Sequence, residues 1–538
     1  MDDETSPLRH ADASQQPVQT PNDANATEPL PHGLKFTLIL ATLMISCFLA
    51  ALDMTIVATA VPTITDEFRS LDQVGWYGSA FLLTQATFQS TWGKVYGIVD
   101  LKSAFLSSIL IFELGCLVSA LAQNSPTVIA GRAVAGVGAA GILGGVFVII
   151  SFVATTHARP TCIGIVGATF SFAGVVGPLV GGALTSQLSW RWVFAINLPV
   201  GFGAVLAFCL VFRTPKAATD LQSPLRWPGV VFDVDLLGTA LITAATTCFL
   251  LAMQWGGVSK PWDSGQVVAI LVLFGVLVVA FVLNERSHGN RALVPLRLLK
   301  KWPVWVNCLY TFLLSGANFP LVYFLPIYFQ AIQGVNAEES GIRNIPLVLA
   351  VSMMTVVSTS FMGRTSNWIL PMIFGAILTT VGASLIYTLD IDSPASKWIG
   401  YQVILGMGVG IALEVPLVAN QQDLPLSDIP TMVGMTLFFE LLGGAIFVSA
   451  GQAIFSNGLL QKLEEIAPNI SGIEVLEQGA LNIRKIFGDQ IHSVLVSYMA
   501  GLQDTFLMAL SCAAICVALA IVVAVVIQGL RPVSSTRC

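Results

Sequence analysis

Charge is scarce in this chain. Asp, Glu, Lys and Arg make up 10% of its 538 residues, against roughly 25% in soluble domains. That shortage excludes an ordinary water-soluble fold. Nucleotide machinery is missing too. No GxxxxGK[ST] stretch cradles a phosphate, which excludes an ATP-driven pump. No HExxH, paired CxxC or GxSxG stretch offers the constellation of a hydrolase or metalloenzyme, so the chain is not expected to be an enzyme. The nine cysteines fall mostly within apolar runs and read as small core residues, not as disulfides or ligands. No metal, other cofactor or nucleic-acid partner is expected. Energy for any work must come from a gradient.

What is abundant is apolar sequence. Hydrophobic residues make up 55% of the chain and the mean hydropathy is +0.79. Fourteen apolar runs of about 18–27 residues, from 36–60 to 504–528, are each long enough to cross a bilayer core as a helix. The expected fold class is an all-α polytopic membrane protein. Its expected parts are a disordered cytosolic tail over 1–33, six helices in 34–213, and a linker with two extra helices over 214–303. Six more helices follow in 304–530, with a long outer loop over 457–503, and a short tail over 531–538. With the N-terminus in the cytosol, sixteen of the 25 Lys and Arg residues fall in inner segments, as the positive-inside bias requires. An even helix count returns the C-terminus to the same side. Asn469-Ile-Ser471 then stands as a glycosylation candidate in the outer loop.

The stretch Gly164–Leu184 carries no charge and is crowded with Gly, Ala and Ser. Such residues bury little surface in water but let two helix backbones approach closely in lipid. Pro178 lacks an N–H and crowds the preceding turn, a kink site. The spacing Gly174, Gly177-Pro178, Gly181-Gly182 closely resembles the antiporter motif of helix 5 in exporters of the major facilitator superfamily, with Ala173 where the longer motif often has Gly. Leu52-Asp53-Met54-Thr55, Gly131-Arg132 with Gly136 and Gly138, and Trp190-Arg191-Trp192 with Asn197 and Pro199 resemble further motifs of that family, in its order. The 6 + 2 + 6 layout looks like its fourteen-helix drug:proton antiporter branch. The wording of 72–79 and 111–115 resembles fungal members that export toxins and secondary metabolites. The resemblance implies two six-helix halves rocking about a midplane site, with Arg132 tied to proton transfer. One stretch departs. Gly97 and Ile98 stand where the family's inner-gate loop has an Asp–Arg pair, which leaves Asp100 as a displaced substitute.

Ionisable groups inside a bilayer are expensive and are functional candidates by default. Asp53 lies about 26 Å along helix 1, and Arg132 roughly 10 Å below the outer end of helix 4, at 1.5 Å per residue. Both fall in the outer half and are expected to share one polar network. It serves either to load and release a proton as the two separate, or as a static pair joining helices 1 and 4. Glu440 stands about 15 Å into helix 13 in an apolar setting, as a proton carrier or a partner for a cationic cargo group. Glu414, in the inner half of helix 12, is expected to line the vestibule, and Glu113 to be structural. On helix 9, Phe312, Phe319 and Tyr323 share a face at helical spacing and Asn318 adds a polar handle. Pro320 and Pro326 are expected to bend or break that helix.

The function expected from these features is secondary active efflux of hydrophobic small molecules, such as a fungal metabolite, toxin or drug, in exchange for protons. The expected setting is a monomer in the plasma membrane, with the vacuole as alternative. Uptake of a specific solute such as a siderophore is the competing reading. A non-transporting nutrient sensor is a third, disfavoured by the short tails.

Overall fold

The computed structural model describes residues 31–69, 73–220, 234–422, 424–472, 474–476, 483–484 and 486–530. The tail expected over 1–33 therefore lies outside the described residues up to 30, as do 221–233 of the linker and 531–538. Fourteen long helices account for most of what is described: α1 Leu34–Ile56, α2 Val74–Ile98, α3 Leu101–Ala120, α4 Ser125–Val153, α5 Arg159–Gln187, α6 Asn197–Val211, α7 Leu236–Trp255, α8 Gly265–His288, α9 Trp302–Ile327, α10 Ile345–Thr365, α11 Ile369–Tyr387, α12 Ala395–Ala412, α13 Ile429–Ile466 and α14 Ile491–Leu530. Among the described residues, thirteen spans are long and apolar enough to cross a membrane. The helix not among them, α2, has 25 residues but buries Gln85, Thr87, Gln89, Ser90, Thr91 and Lys94. These residues lie all round the helix at its 3.6-residue period, so α2 is enclosed by its neighbours α4, α13 and α7.

Short polar side chains start several helices by accepting the free N–H groups of the first turn. Asp100 Oδ2 accepts from Ser103 N at 2.9 Å, Asn124 Oδ1 from Thr127 N at 2.9 Å, and Asp235 Oδ1 from Gly238 N at 2.7 Å. Two helices outrun their apolar stretches. α13 continues through Gln461, Lys462, Glu464 and Glu465 to Ile466, and α14 begins at Ile491. Helix therefore occupies both ends of the segment expected to be an outer loop over 457–503, because a helix needs no apolar surface once it leaves the lipid. Pro320 and Pro326 do not break α9, which is helical throughout and passes into a wider π-type turn at Tyr328–Ile332. That turn absorbs the misfit just beyond the second proline.

Within α1–α6, α1 packs on α5 and α6, and α4 carries α2 and α3. Within α9–α14, α9 packs on α13 and α14, α12 lies between α10 and α11, and α11 meets α14. The two groups touch along two seams, α2 against α13 and α5 against α10. The start of α1 lines a small cavity with the α4–α5 turn, through Gly33, Phe36, Val153 and Ala158. This defines a termini end of the molecule. Both seams are tight there. A Cβ placed on Gly93 would lie 2.8 Å from Pro430 O and 2.9 Å from Gly434 Cα, so α2 and α13 cross backbone on backbone. At the α5–α10 seam His157 Nδ1 lies 3.3 Å from Gly363 O, and between the two seams Ser151 Oγ of α4 donates to Gln421 Oε1 at 2.9 Å. Finally, α7 packs on both α2 and α13, and α8 packs on α7, with Val272, Val276, Val279 and Leu283 turned outward.

Candidate functional site

Asp53 in the last turns of α1 and Arg132 near the start of α4 are 0% and 1% exposed. Arg132 Nη1 donates to Asp53 Oδ2. Nη2 donates to the Asp53 carbonyl at 3.3 Å and Nε to the Tyr77 carbonyl at 3.1 Å. The guanidinium also sits 4.3 Å over the Phe81 ring, a favourable place for a buried cation. The other carboxylate oxygen accepts from Asn197 Nδ2 at 2.9 Å, with Cys116 Sγ 3.8 Å away. One ion pair thus gathers α1, α2, α3, α4 and α6. Taking both charges out of water is costly, and such a pair persists only when its remaining donors and acceptors are satisfied. The common depth of Asp53 and Arg132 is readable from the sequence. The part of Asn197 is not, because a neutral amide in an apolar run gives no charge signal.

The glycines of the α5 motif divide into two kinds. A Cβ on Gly177 would overlap Thr55 Oγ1 and lie 3.0 Å from Ile56 N. One on Gly181 would lie 2.6 Å from Ile56 O. These two glycines seat α5 directly on the end of α1, just past Asp53. Gly174 and Gly182 have no such neighbour within 4 Å. Pro178 is contained within a continuous helix. Beyond the membrane end of α1, Glu67 accepts from Arg191 Nη2 at 2.9 Å and from Trp190 Nε1 at 2.6 Å. Those hydrogen bonds, that of Arg191 foremost, hold its carboxyl below the usual carboxylate range.

A second group of candidates lies in α9–α14. Glu414 occupies the break between α12 and the short helix Val415–Gln421 and is 8% exposed. Its Oε1 stands where a Cβ on Gly167 of α5 would be, so the carboxylate reaches across to the first helix group. Glu440 of α13 is half-buried, and its charge acts on Glu414 across the space between them. Neither forms a salt bridge or side-chain hydrogen bond among the described residues. Phe312 and Phe319 face α13, the first with Phe447 at a centroid distance of 5.4 Å and the second against Gly444. Tyr323 lies past that contact, edge-on to Phe324 and 55% exposed. Asn318 Oδ1 is buried without a hydrogen-bond partner.

Gln85 and Gln89 of α2 are fully buried with both amide atoms of each unpartnered. They carry no charge, and nothing in the sequence pattern singles them out. Asp100, the displaced substitute for the inner-gate carboxylate, does not reach across the seam. Its oxygens accept from Ser103 N and Oγ and from Thr214 Oγ1, the last at 2.6 Å, because a loop carboxylate one residue before a helix is spent on capping it.

The model of the Major Facilitator Superfamily matches residues 43–448. The MFS-type transporter grgE of a Penicillium species is 41% identical over 485 residues, 90% of this chain and 86% of that protein. The efflux pump notK of Aspergillus sp. (strain MF297-2) is 41% identical over 493 residues, covering 91% and 87%. The dehydrocurvularin exporter of Aspergillus terreus is 38% identical over 492 residues, covering 91% and 86%. Among solved structures, the human organic anion transporter MFSD10 superposes with a TM-score of 0.58 at 12% identity, over 91% of this chain and all of that one, a likeness of fold alone.

Proposed function

This chain belongs to the major facilitator superfamily, and we propose that it is a secondary active transporter that exports a hydrophobic small molecule in exchange for protons. Efflux pumps and exporters among its relatives support the direction. The observation that carries the coupling is the Glu414–Glu440 pair. Two neighbouring carboxyl groups inside a membrane, with no salt bridge to either among the described residues, must hold a proton or meet a positive group of the cargo. Glu414 does so on the seam that alternating access opens and closes. The Asp53–Arg132 pair lies on α1 and α4, where it links the α1–α5 contact to the rest of its helix group. The halves are 34–213 and 304–530, with 214–303 between them. Phe312, Asn318, Phe319 and Tyr323 contribute to the cargo path.

Two measurements test this reading. Small-molecule profiling of cells and medium, with and without the gene in its native host, is expected to find a compound that builds up inside when the gene is deleted. A compound left unconsumed in the medium would instead mean uptake. In everted vesicles supplied with that compound, Glu440→Gln is expected to lower proton-driven transport at least about tenfold, some 1.4 kcal/mol of coupling, while sparing downhill exchange. An unchanged driven rate would remove Glu440 from the mechanism.

The molecule works as a monomer in the plasma membrane with both termini cytosolic. Asn469, exposed just past the end of α13, then faces outside. Endoglycosidase treatment is expected to shift the mobility of the wild type and not of Asn469→Gln. A wild type that carries no glycan would leave the orientation without this support.

A further inference from the structure

We propose that Lys94 of α2 is the gate latch at the termini end, docking into a carboxylate receptor built by the α7–α8 hairpin and the start of α13. The inference rests on the transport reading only in that the two helix groups must part. The loop between α2 and α3 cannot supply a latch here. Its Asp100 is engaged by Ser103 and Thr214. Its Lys102 Nζ donates to the carbonyls of Cys209 at 2.8 Å and Phe212 at 3.0 Å. Both charges serve contacts within α1–α6.

The seam is nevertheless closed where Gly93 crosses Pro430 and Gly434. Lys94 is the next residue and is only 8% exposed. A buried ammonium needs opposite charge nearby. Among the described residues, the carboxylates whose charge acts on Lys94 are Glu285 of α8, Asp428 at the start of α13 and Asp235 at the start of α7, with Arg297 as a cation beside them. All come from outside α1–α6.

These carboxylates are held rigidly. Glu285 accepts from Val294 N at 2.7 Å and Leu293 N at 3.3 Å. Asp428 takes both Nη groups of Arg297, at 2.7 and 3.0 Å. Asp235 accepts from Asn284 Nδ2 at 2.6 Å as well as capping α7. The hairpin is fastened to α13 along its length. Ile242 packs in one cluster with Met432, Met435 and Phe438. Far from the termini end, Asn457 Nδ2 donates to Gly256 O at 3.2 Å while Trp262 Nε1 donates to Asn457 Oδ1 at 3.3 Å. The receptor therefore moves with α9–α14. Thr91, one turn from Lys94, bonds Thr239 of α7 at 2.8 Å and gives the latch a second, neutral point of attachment.

The test is a distance measurement on the purified full chain, without cargo or gradient. Spin labels replace the exposed Arg213 and Arg364 at the termini end, in a background with the accessible native cysteines replaced. Lys94→Gln is expected to enlarge the long-distance, open population at least severalfold, and Asp100→Asn to leave it at the wild-type value. A Lys94→Gln distribution equal to that of the wild type overturns the latch, as does opening by Asp100→Asn to the same extent. Should Lys94→Gln fail to fold, Glu285→Gln with Asp428→Asn removes the receptor and leaves Lys94 in place. A severalfold larger open population in that double variant supports the latch, and a wild-type distribution overturns it. Because no transport is measured, failure of the latch and failure of proton-coupled export are read separately.

Discussion

Arg132→Ala is expected to abolish gradient-driven transport and to lower stability by about 3–5 kcal/mol, the cost of leaving a buried charge without its partner. The size follows from what Arg132 does at once. It neutralises Asp53, satisfies two backbone carbonyls and lies against Phe81. Asp53→Asn leaves the buried Arg132 without its counter-charge and offers one oxygen where two were used, so its loss of stability should be of similar size. The double variant separates electrostatics from function. With neither charge present it should recover much of the stability lost in Arg132→Ala, since neighbouring substitutions are not additive, yet it should remain inactive. Thermal unfolding in detergent and uptake into everted vesicles read the two quantities. Normal driven transport by Arg132→Ala would remove the pair from the mechanism, and an active double variant would reduce it to a rivet between α1 and α4.

The other large effect is expected at Gly177. Gly177→Leu must place a side chain where Thr55 and the backbone of Ile56 already stand. Overpacking of this kind costs about 1–3 kcal/mol, and relief is available only by separating α5 from α1. Transport should fall at least about tenfold, the equivalent of 1.4 kcal/mol on the rate-limiting step. Gly174→Leu is the matched control, since nothing stands within 4 Å of a Cβ there. It should change the rate by no more than about twofold, as substitutions without a new contact usually do. If the two leucine variants transport equally well, the close approach of α5 to α1 is irrelevant to the cycle.

The long helices are legible in the sequence because a bilayer asks for length and apolarity, and α1, α4 and α8 supply both. Their ends are less so. The polar turns at 457–466 and 491–503 obey helix geometry rather than hydropathy. The Asp53–Arg132 pair is readable because charge within an apolar run is rare and a rise of 1.5 Å per residue fixes depth. The contribution of Asn197, the enclosure of the polar helix α2 and the proximity of Glu414 to Glu440 are not. Each depends on which helices become neighbours, and a single sequence does not encode that in any local pattern. Asp100 shows the converse hazard. Its charge invites a gating role, while its position one residue before α3 makes it a cap.

The α7–α8 hairpin also makes the molecule lopsided as seen from the lipid. The α2–α13 seam lies behind a helix that touches both of its sides, whereas no third long helix among the described residues packs on both α5 and α10. A lipid-dissolved compound diffusing in the plane of the bilayer meets a shuttered wall on one flank. On the other it meets the line of contact between glycine-rich α5 and α10, with the short helix Ala337–Arg343 packed on both at one end. The two flanks between the helix groups are therefore unequal as seen from the lipid, one shuttered by a full-length helix and the other only by a short one.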